Sequence, residues 1–216
     1  MKYLQAPLYF NLMKPKTIET DKKYPAIFLL HGMGSNELDL PPLVQAFNEK
    51  MFIFSLRGPI VQPPGYAFFT MEDLGQPNEN SFKQTIKMVD DFILFATKTY
   101  PIDEYNLFLM GFSQGAILSM TYAIIHLGKI KGVLALSGYI PAFIKAEYKN
   151  TELAHLNLFI SHGEDDPVLP FSWGVASKEF LQERGAIVTF KSYQAGHWVT
   201  QENFEDIQVW LKDRLQ

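Results

Sequence analysis

The sequence predicts an α/β protein with a mostly parallel central sheet and helices on both faces. Three observations predict it. Short apolar runs recur along the whole chain. The first five are continuous rather than alternating, as expected of strands buried on both faces. Segments of helical period stand between them, so strand and helix alternate, and that alternation builds a parallel sheet through right-handed crossovers.

Taken in order, Tyr9 to Leu12 offers an antiparallel edge strand, and AIFLL (26–30) and MFIFSL (51–56) are the first two buried strands. LFLM (107–110), GVLALS (132–137), LFIS (158–161) and IVTFKSY (187–193) follow. Ser81-Phe82-Lys83-Gln84 has capping-box spacing and opens a helix whose Phe82, Ile86, Val89, Ile93 and Ala96 form one stripe. Ile117, Met120, Ile124 and Leu127 repeat that spacing, with Gly128 where a helix commonly stops. Val175 to Arg184, ended by Gly185, and Glu202 to Leu215 make two more helices. Residues 57–80, rich in Pro, Gly and aromatics, read as one long loop, and loops of that length are uncommon unless functional.

The 216 residues suffice for one well-buried core, and no shift in composition divides them, so a single domain over 1–216 is expected. A net charge of -4 and a longest basic cluster of only Lys22-Lys23 leave no footprint for nucleic acid. The absence of cysteine excludes a disulfide framework, a Cys-ligated zinc site and a cysteine nucleophile. The N-terminal MKYLQAPLYFNLMKPK has no sustained apolar core before a small-residue cleavage site, so a cytoplasmic location is expected. Residues 105–128 carry no Asp, Glu, Lys or Arg, and Gly111 and Gly115 have the G-x-x-x-G spacing of membrane helix pairs. The run also holds Asn106, Ser113, Gln114, Ser119, Thr121 and His126, too many polar groups for a transmembrane segment.

In sheets of this kind ligands bind beyond the carboxyl ends of the strands, so the polar residues just after each apolar run carry the chemistry. After LFLM comes Gly111-Phe112-Ser113-Gln114-Gly115. A G-x-S-x-G arises by chance in roughly one chain in fifteen of this length, so alone it decides nothing. Its context is more specific. LFLM reads as a strand, Gly111 to Gly115 as a sharp turn and Ala116 onward as a helix, the setting of a nucleophile elbow whose glycines admit the tight turn. The N-terminus of that helix also favours developing negative charge.

A nucleophilic serine needs a base, and the base an orienting acid, in the chain order Ser, Asp or Glu, His for this kind of sheet. Of the five histidines, His31 precedes Ser113, and His126, His155 and His162 precede Asp165 and Asp166, the only aspartates between Ser113 and the last histidine. His197 alone satisfies the order with an aspartate. Asp166 is favoured over Asp165 because Pro167 biases its backbone to an extended form, and Glu164 is the next substitute. The backbone N–H of Gln114 is one expected oxyanion donor; the glycine-containing loop after AIFLL supplies the second, for which Met33 N–H is chosen.

With these pieces in order the chain resembles the phospholipase/carboxylesterase family of small α/β-hydrolases, which includes the acyl-protein thioesterases. The matching segments are HGMGSNELD (31–39), RGP (57–59) with GYAFF (65–69), GFSQGA (111–116), LSGYIP (136–141), HGEDDPVLP (162–170) and GH (196–197). The resemblance implies an α/β-hydrolase fold with Ser113 as nucleophile, Asp166 as acid, His197 as base and Met33 and Gln114 as oxyanion donors. It implies hydrolysis of small-molecule or lipid-like esters through an acyl-enzyme, with no cofactor and no metal. Only about twenty residues separate LSG from LFIS, so no large lid domain is expected there. Relatives often dimerise, which admits a homodimer that no feature of this sequence demands.

Two departures stand out. Many relatives carry Trp-Phe where this chain has Phe68-Phe69, and GFSQGG where it has Ala116. The first lies near the expected acyl site, and Tyr66, Phe68, Phe69 and Met71 are expected either to help wall it or only to pack the loop onto the domain. Carboxylesterase activity is the leading expectation and lysophospholipase or acyl-protein thioesterase activity the alternative. A non-catalytic binding protein on the same fold is the alternative of another class, disfavoured because all three triad members are present.

Overall fold

The computed structural model describes residues 5–215; Met1 to Leu4, which open the N-terminal segment weighed above for export, and Gln216 lie outside the described residues. The edge strand β1 (Phe10–Met13) is followed by β2 (Tyr24–Leu30) and β3 (Phe52–Leu56). Two short 3-10 turns, Pro41–Leu43 and Gln45–Phe47, fill the crossover between β2 and β3. Residues 57–80 are not one irregular loop. They fold into two small antiparallel hairpins, β4 (Ile60–Gln62) with β5 (Gly65–Ala67) and β6 (Met71–Asp73) with β7 (Gln76–Pro77).

Helix α1 (Glu79–Thr99) then begins earlier than the capping-box spacing predicted. Its N-cap is Asn78, whose Oδ1 accepts from Ser81 N–H at 3.0 Å. Ser81 is thus already inside the helix, and its hydroxyl instead accepts from Thr70 N–H. Next come β8 (Ile102–Phe112), α2 (Gln114–Ile125) and β9 (Gly132–Leu136). The rest is α3 (Ala142–Glu147), β10 (Asn157–Gly163), α4 (Phe171–Gln182), β11 (Ile187–Tyr193) and α5 (Gln201–Arg214). The short α3 had no clear period in the sequence, and α4 starts directly after Pro170 rather than at Val175.

The strands form a seven-stranded sheet in the order β1-β3-β2-β8-β9-β10-β11. Only β1 runs antiparallel, pairing Phe10 with Leu56. The continuous apolar runs are explained by what covers the sheet. Ala26, Phe28 and Leu30 point to one face, beneath α1, α2 and α4, while Ile27 and Leu29 point to the other, beneath α5 and the 3-10 turns. Leu107 and Leu109 alternate with Phe108 and Met110 in the same way. Both sides of each central strand are therefore apolar, because successive side chains alternate across the sheet. The parallel strands β2, β8, β10 and β11 end on one edge, and the loops after them carry all the residues singled out for chemistry.

Candidate active site

The turn after β8 is tighter than the sequence reading had it. The strand continues through Gly111 and Phe112, α2 starts at Gln114, and the whole reversal falls on Ser113. Ser113 has φ 52° and ψ -116°, a conformation sparsely populated by any residue but glycine and one that stores strain of order 1–3 kcal/mol. Its neighbours make that geometry possible by lacking side chains. A Cβ at Gly115 would overlap the Leu30 carbonyl of β2, and one at Gly111 would overlap the Gly115 backbone. The strand, the turn and the helix are thus pressed together, and Ser113 N–H is anchored on Leu136 O at 2.8 Å. Ala116, where many relatives carry glycine, fits because Gly138 faces it; a Cβ on Gly138 would lie 2.6 Å from that of Ala116.

Asp166 follows β10 and His197 follows β11, the adjacent parallel strand. His197 Nδ1 donates to Asp166 Oδ2 at 2.6 Å. Asp166 Oδ1 accepts from Val168 N–H and Leu169 N–H, each at 2.8 Å, in a turn that closes over Pro167. The carboxylate is fully shielded, with 0% of its side chain exposed, whereas Asp165 points to solvent. Burial pushes the Asp166 carboxyl up, but the bonds from His197, Leu169 and Val168 outweigh it and hold the group below the usual carboxylate range. The imidazole rests on Phe112, beside the serine, with ring centroids 4.8 Å apart. No hydrogen bond joins Ser113 Oγ to His197 among the described residues. Bonds of this kind tighten around a bound substrate.

The loop after β2 lies against the elbow: a Cβ on Gly32 would stand 3.5 Å from Ser113 Cβ. Met33 lines the same cavity as Ser113 and Gln114. Gln114 N–H, first in its helix, has no acceptor within that helix, and neither it nor Met33 N–H meets a backbone acceptor among the described residues. The loop is held from behind. His31 Nε2 accepts from Gly58 N–H at 3.0 Å, and Nδ1 faces Gly32 O at 2.7 Å, which together require the neutral ring protonated on Nδ1. Burial lowers the His31 pKa. Glu37 receives Arg57 Nε at 2.6 Å and Nη2 at 2.5 Å, a bidentate pair that holds the Glu37 carboxyl below its ordinary range. The Arg57 guanidinium is sandwiched between the rings of Tyr9 and Tyr66, at 4.0 and 4.5 Å. Gly34 N–H donates to Tyr66 O and Tyr66 N–H to Ser35 O, both at 2.8 Å, completing the seam.

Of the four residues expected to wall the substrate site, two line the cavity beside Ser113 and two do not. Phe69 and Met71 border its approximately 340 Å³. Phe68 turns away and packs on His31 at 4.8 Å between centroids, the chain bending just after β5 so that the two rings part. Tyr66 is occupied by Arg57. The rest of the wall is Asp73, Leu74, Ile117, Tyr139, Val168 and Leu169, which the sequence did not flag as such. Gln114 contributes more than its backbone. Its buried side chain accepts from Phe68 N–H at 2.6 Å and donates to Phe69 O at 2.7 Å, so the elbow grips the aromatic loop directly. A second cavity of about 240 Å³ is lined by His197 itself together with Leu40, Leu43, Phe112 and Trp198. Among the described residues no cluster of three or more His, Cys, Asp or Glu is arranged to hold a metal ion, and no helix is long and apolar enough to cross a membrane.

Comparison with known proteins agrees with this architecture. Residues 15–215 match the family model described as phospholipase/carboxylesterase. The carboxylesterase SOBER1 of Arabidopsis thaliana is 31% identical over 210 residues, covering 88% of this chain and 90% of that protein. Acyl-protein thioesterase 1 of Saccharomyces cerevisiae is 28% identical over 218 residues, covering 88% and 92%. The crystal structure of the Bacillus cereus carboxylesterase superposes with a TM-score of 0.82 at 26% identity, covering 96% of this chain and 94% of that one. The fold is thus that of an α/β-hydrolase without a large inserted lid: only the six-residue α3 interrupts the connection from β9 to β10. The chain belongs to the phospholipase/carboxylesterase family and is, with it, an ester-cleaving hydrolase.

Proposed function

We propose that the protein is a carboxylesterase that works through an acyl-enzyme on Ser113, with His197 as base and Asp166 as the acid that orients it. The observation that carries this reading is the strained Ser113 turn at a strand end beside the 2.6 Å His197–Asp166 pair. In the first half-reaction Ser113 Oγ bonds to the ester carbonyl carbon while its proton moves to His197 Nε2. The carbonyl oxygen becomes an oxyanion that accepts from Met33 and Gln114 N–H, donors worth several kcal/mol when aimed at developing charge. Asp166 keeps Nδ1 protonated and balances the imidazolium. The carbon–oxygen bond to the leaving group then breaks, and the alcohol departs with the proton from His197. Water repeats the sequence, frees the carboxylic acid and restores the serine. No cofactor or metal enters these steps.

The two cavities divide the substrate. The leaving group takes its proton from His197 and so belongs on the Leu40 and Trp198 side, and the acyl group lies in the apolar cavity between Phe69, Met71 and Ile117. At about 340 Å³ that cavity is at the small end of ligand sites, and even with the cleft of about 240 Å³ that adjoins it at Leu74 and Tyr139 it suits short to medium acyl chains better than the long chains of a lysophospholipid or an acylated protein. The net charge of -4 disfavours nucleic acid as partner and is compatible with a small-molecule or lipid-like ester. Fluorophosphonate labelling of the native chain and of Ser113→Ala, with nitrophenyl esters of increasing acyl length, tests the reading. Labelling lost in Ser113→Ala and turnover greatest for short to medium acyl groups are expected; labelling that survives the substitution overturns it.

A further inference from the structure

The acyl cavity does not end at its own walls. Leu74 and Tyr139 also border an adjoining cleft of about 240 Å³, framed by Ile140, Trp173, Ala176 and Lys145. The cleft is shaped by close packing rather than by a loose loop. Tyr139 meets Trp173 edge-on at 4.9 Å, and Gly75 lets the hairpin tip come so near that a Cβ there would lie 2.5 Å from Trp173 Cη2.

Lys145, from α3, is the cleft's one cationic side chain. It is half-buried, and its Nζ lies over the Phe180 ring, 6.0 Å from the centroid. Its Nζ donates to Ala176 O at 3.2 Å, leaving two of the three ammonium donors without a protein acceptor. No carboxylate lies within 4.0 Å of it among the described residues; Glu179 is near enough to act through space but makes no pair, and Arg184 opposes it. Burial lowers the Lys145 pKa, as for an ammonium without a counter-charge. The nearest acid on the substrate path, Asp73, borders the acyl cavity rather than the cleft, and its Oδ1 accepts from Leu74 N–H at 2.7 Å.

We propose that this cleft is a subsite for a carboxylate at the far end of the acyl chain, so that the substrates are half-esters of dicarboxylic acids. The inference rests on the esterase reading of Ser113 and adds the substrate class. Methylenes of the acyl chain run along Leu74 and Tyr139, and the terminal carboxylate accepts from the Lys145 ammonium. One partly desolvated cation matches one monoanion. A dianionic phosphate would bring a second charge into a cleft whose other walls are apolar, where an unmatched charge is costly.

The test measures acid release from monoethyl esters of dicarboxylic acids, succinate through suberate. Ethyl esters of monocarboxylic acids and ω-carboxamide analogues of the same lengths serve as neutral comparisons. At one chain length or two neighbouring lengths the native enzyme should favour the carboxylate over both neutral forms by about tenfold or more in kcat/KM, as a charge-assisted hydrogen bond provides. Lys145→Met should bring that ratio towards one, and Lys145→Arg should keep it. A native enzyme without the preference at every length, or a ratio unchanged in Lys145→Met, overturns the subsite. If no ester in any series is cleaved, fluorophosphonate labelling separates the two failures: a labelled Ser113 overturns the subsite alone, and an unlabelled one overturns the esterase reading beneath it.

Discussion

Asp166 and His197 are joined so that neither carboxylate oxygen is idle: Oδ2 takes the His197 Nδ1 proton at 2.6 Å while Oδ1 takes two backbone N–H groups at 2.8 Å. Asp166→Asn keeps the shape and can keep the backbone bonds, but it then presents an NH2 group to His197. The ring must answer with a bare Nδ1, which puts its proton on Nε2, where the serine proton has to go. We expect kcat to fall by about 10,000-fold in a variant that still folds, with the midpoint lowered only by the loss of the ionised carboxylate. A variant retaining a tenth of the native rate in steady-state assays would remove Asp166 from the mechanism.

The glycines that flank the two ends of α2, Gly115 and Gly128, differ sharply in what they tolerate. Gly115→Ala places a methyl group on the Leu30 carbonyl, so the sheet or the helix must move, and a loss of at least about 3 kcal/mol or failure to fold is expected. Gly128→Ala, at φ +77° with nothing within 4 Å of the added Cβ, meets only backbone strain and should cost about 1–2 kcal/mol. Urea denaturation of the two variants makes the comparison. Equal effects would mean that the close approach of Gly115 to Leu30 adds nothing to the cost of its substitution.

Gln114→Leu keeps the backbone N–H assigned to the oxyanion and removes the side-chain grip on the aromatic loop. Phe68 N–H and Phe69 O lose their partners in a buried place, at a cost of about 2–4 kcal/mol in stability. Because Phe69 borders the acyl cavity, the acyl-length preference should broaden as well. Equilibrium unfolding and an ester series read the two effects separately, and an unaltered length profile would show that the loop holds its place without the clamp.

Acidification should loosen the protein through His31 before it reaches the carboxylates. The His31 pKa is lowered by burial, so between its ordinary value near 6.5 and its folded value the unfolded chain binds the extra proton, and stability falls as pH falls. The added proton on Nε2 would face the Gly58 N–H that this nitrogen now accepts. Buried His162, also lowered by burial, adds to the same slope. Asp166 acts further down: its carboxyl is held low in the fold, so its contribution is complete above about pH 4 and is lost as pH falls through the folded value. Unfolding free energies between pH 7.5 and 5 should decline, and His31→Gln should flatten the decline; an identical slope in the variant would exclude His31 as a source.

Much of this architecture can be read from the chain because its signals are local. Buried parallel strands must be apolar on both faces, so AIFLL and LFLM declare themselves, and strand ends direct attention to Ser113, Asp166 and His197 without any contact being known. The start of α1 was misread because Ser81 and Asn78 are both good caps, and only the fold determines which of them the helix reaches. Phe68 and Phe69 are chemically identical neighbours in the sequence, and only the direction of the chain sends one to His31 and the other to the cavity. Gln114 looks like a spacer after the serine, since the groups it binds lie 45 and 46 residues away on a loop without a period. The Glu37–Arg57 pair is equally silent, because two charged residues 20 positions apart carry no sign that they meet.

Ala116 and Gly138 share one small space, so neither position has a preference of its own. The volume of a single methyl group is available there, and it can be drawn from α2 or from the turn after β9, but not from both. Glycine at 116 would relieve an alanine at 138 of its closest contact and leave the α2 backbone at 3.2 Å. Substitutions at the two positions should therefore be strongly non-additive, with Ser113 left where it is.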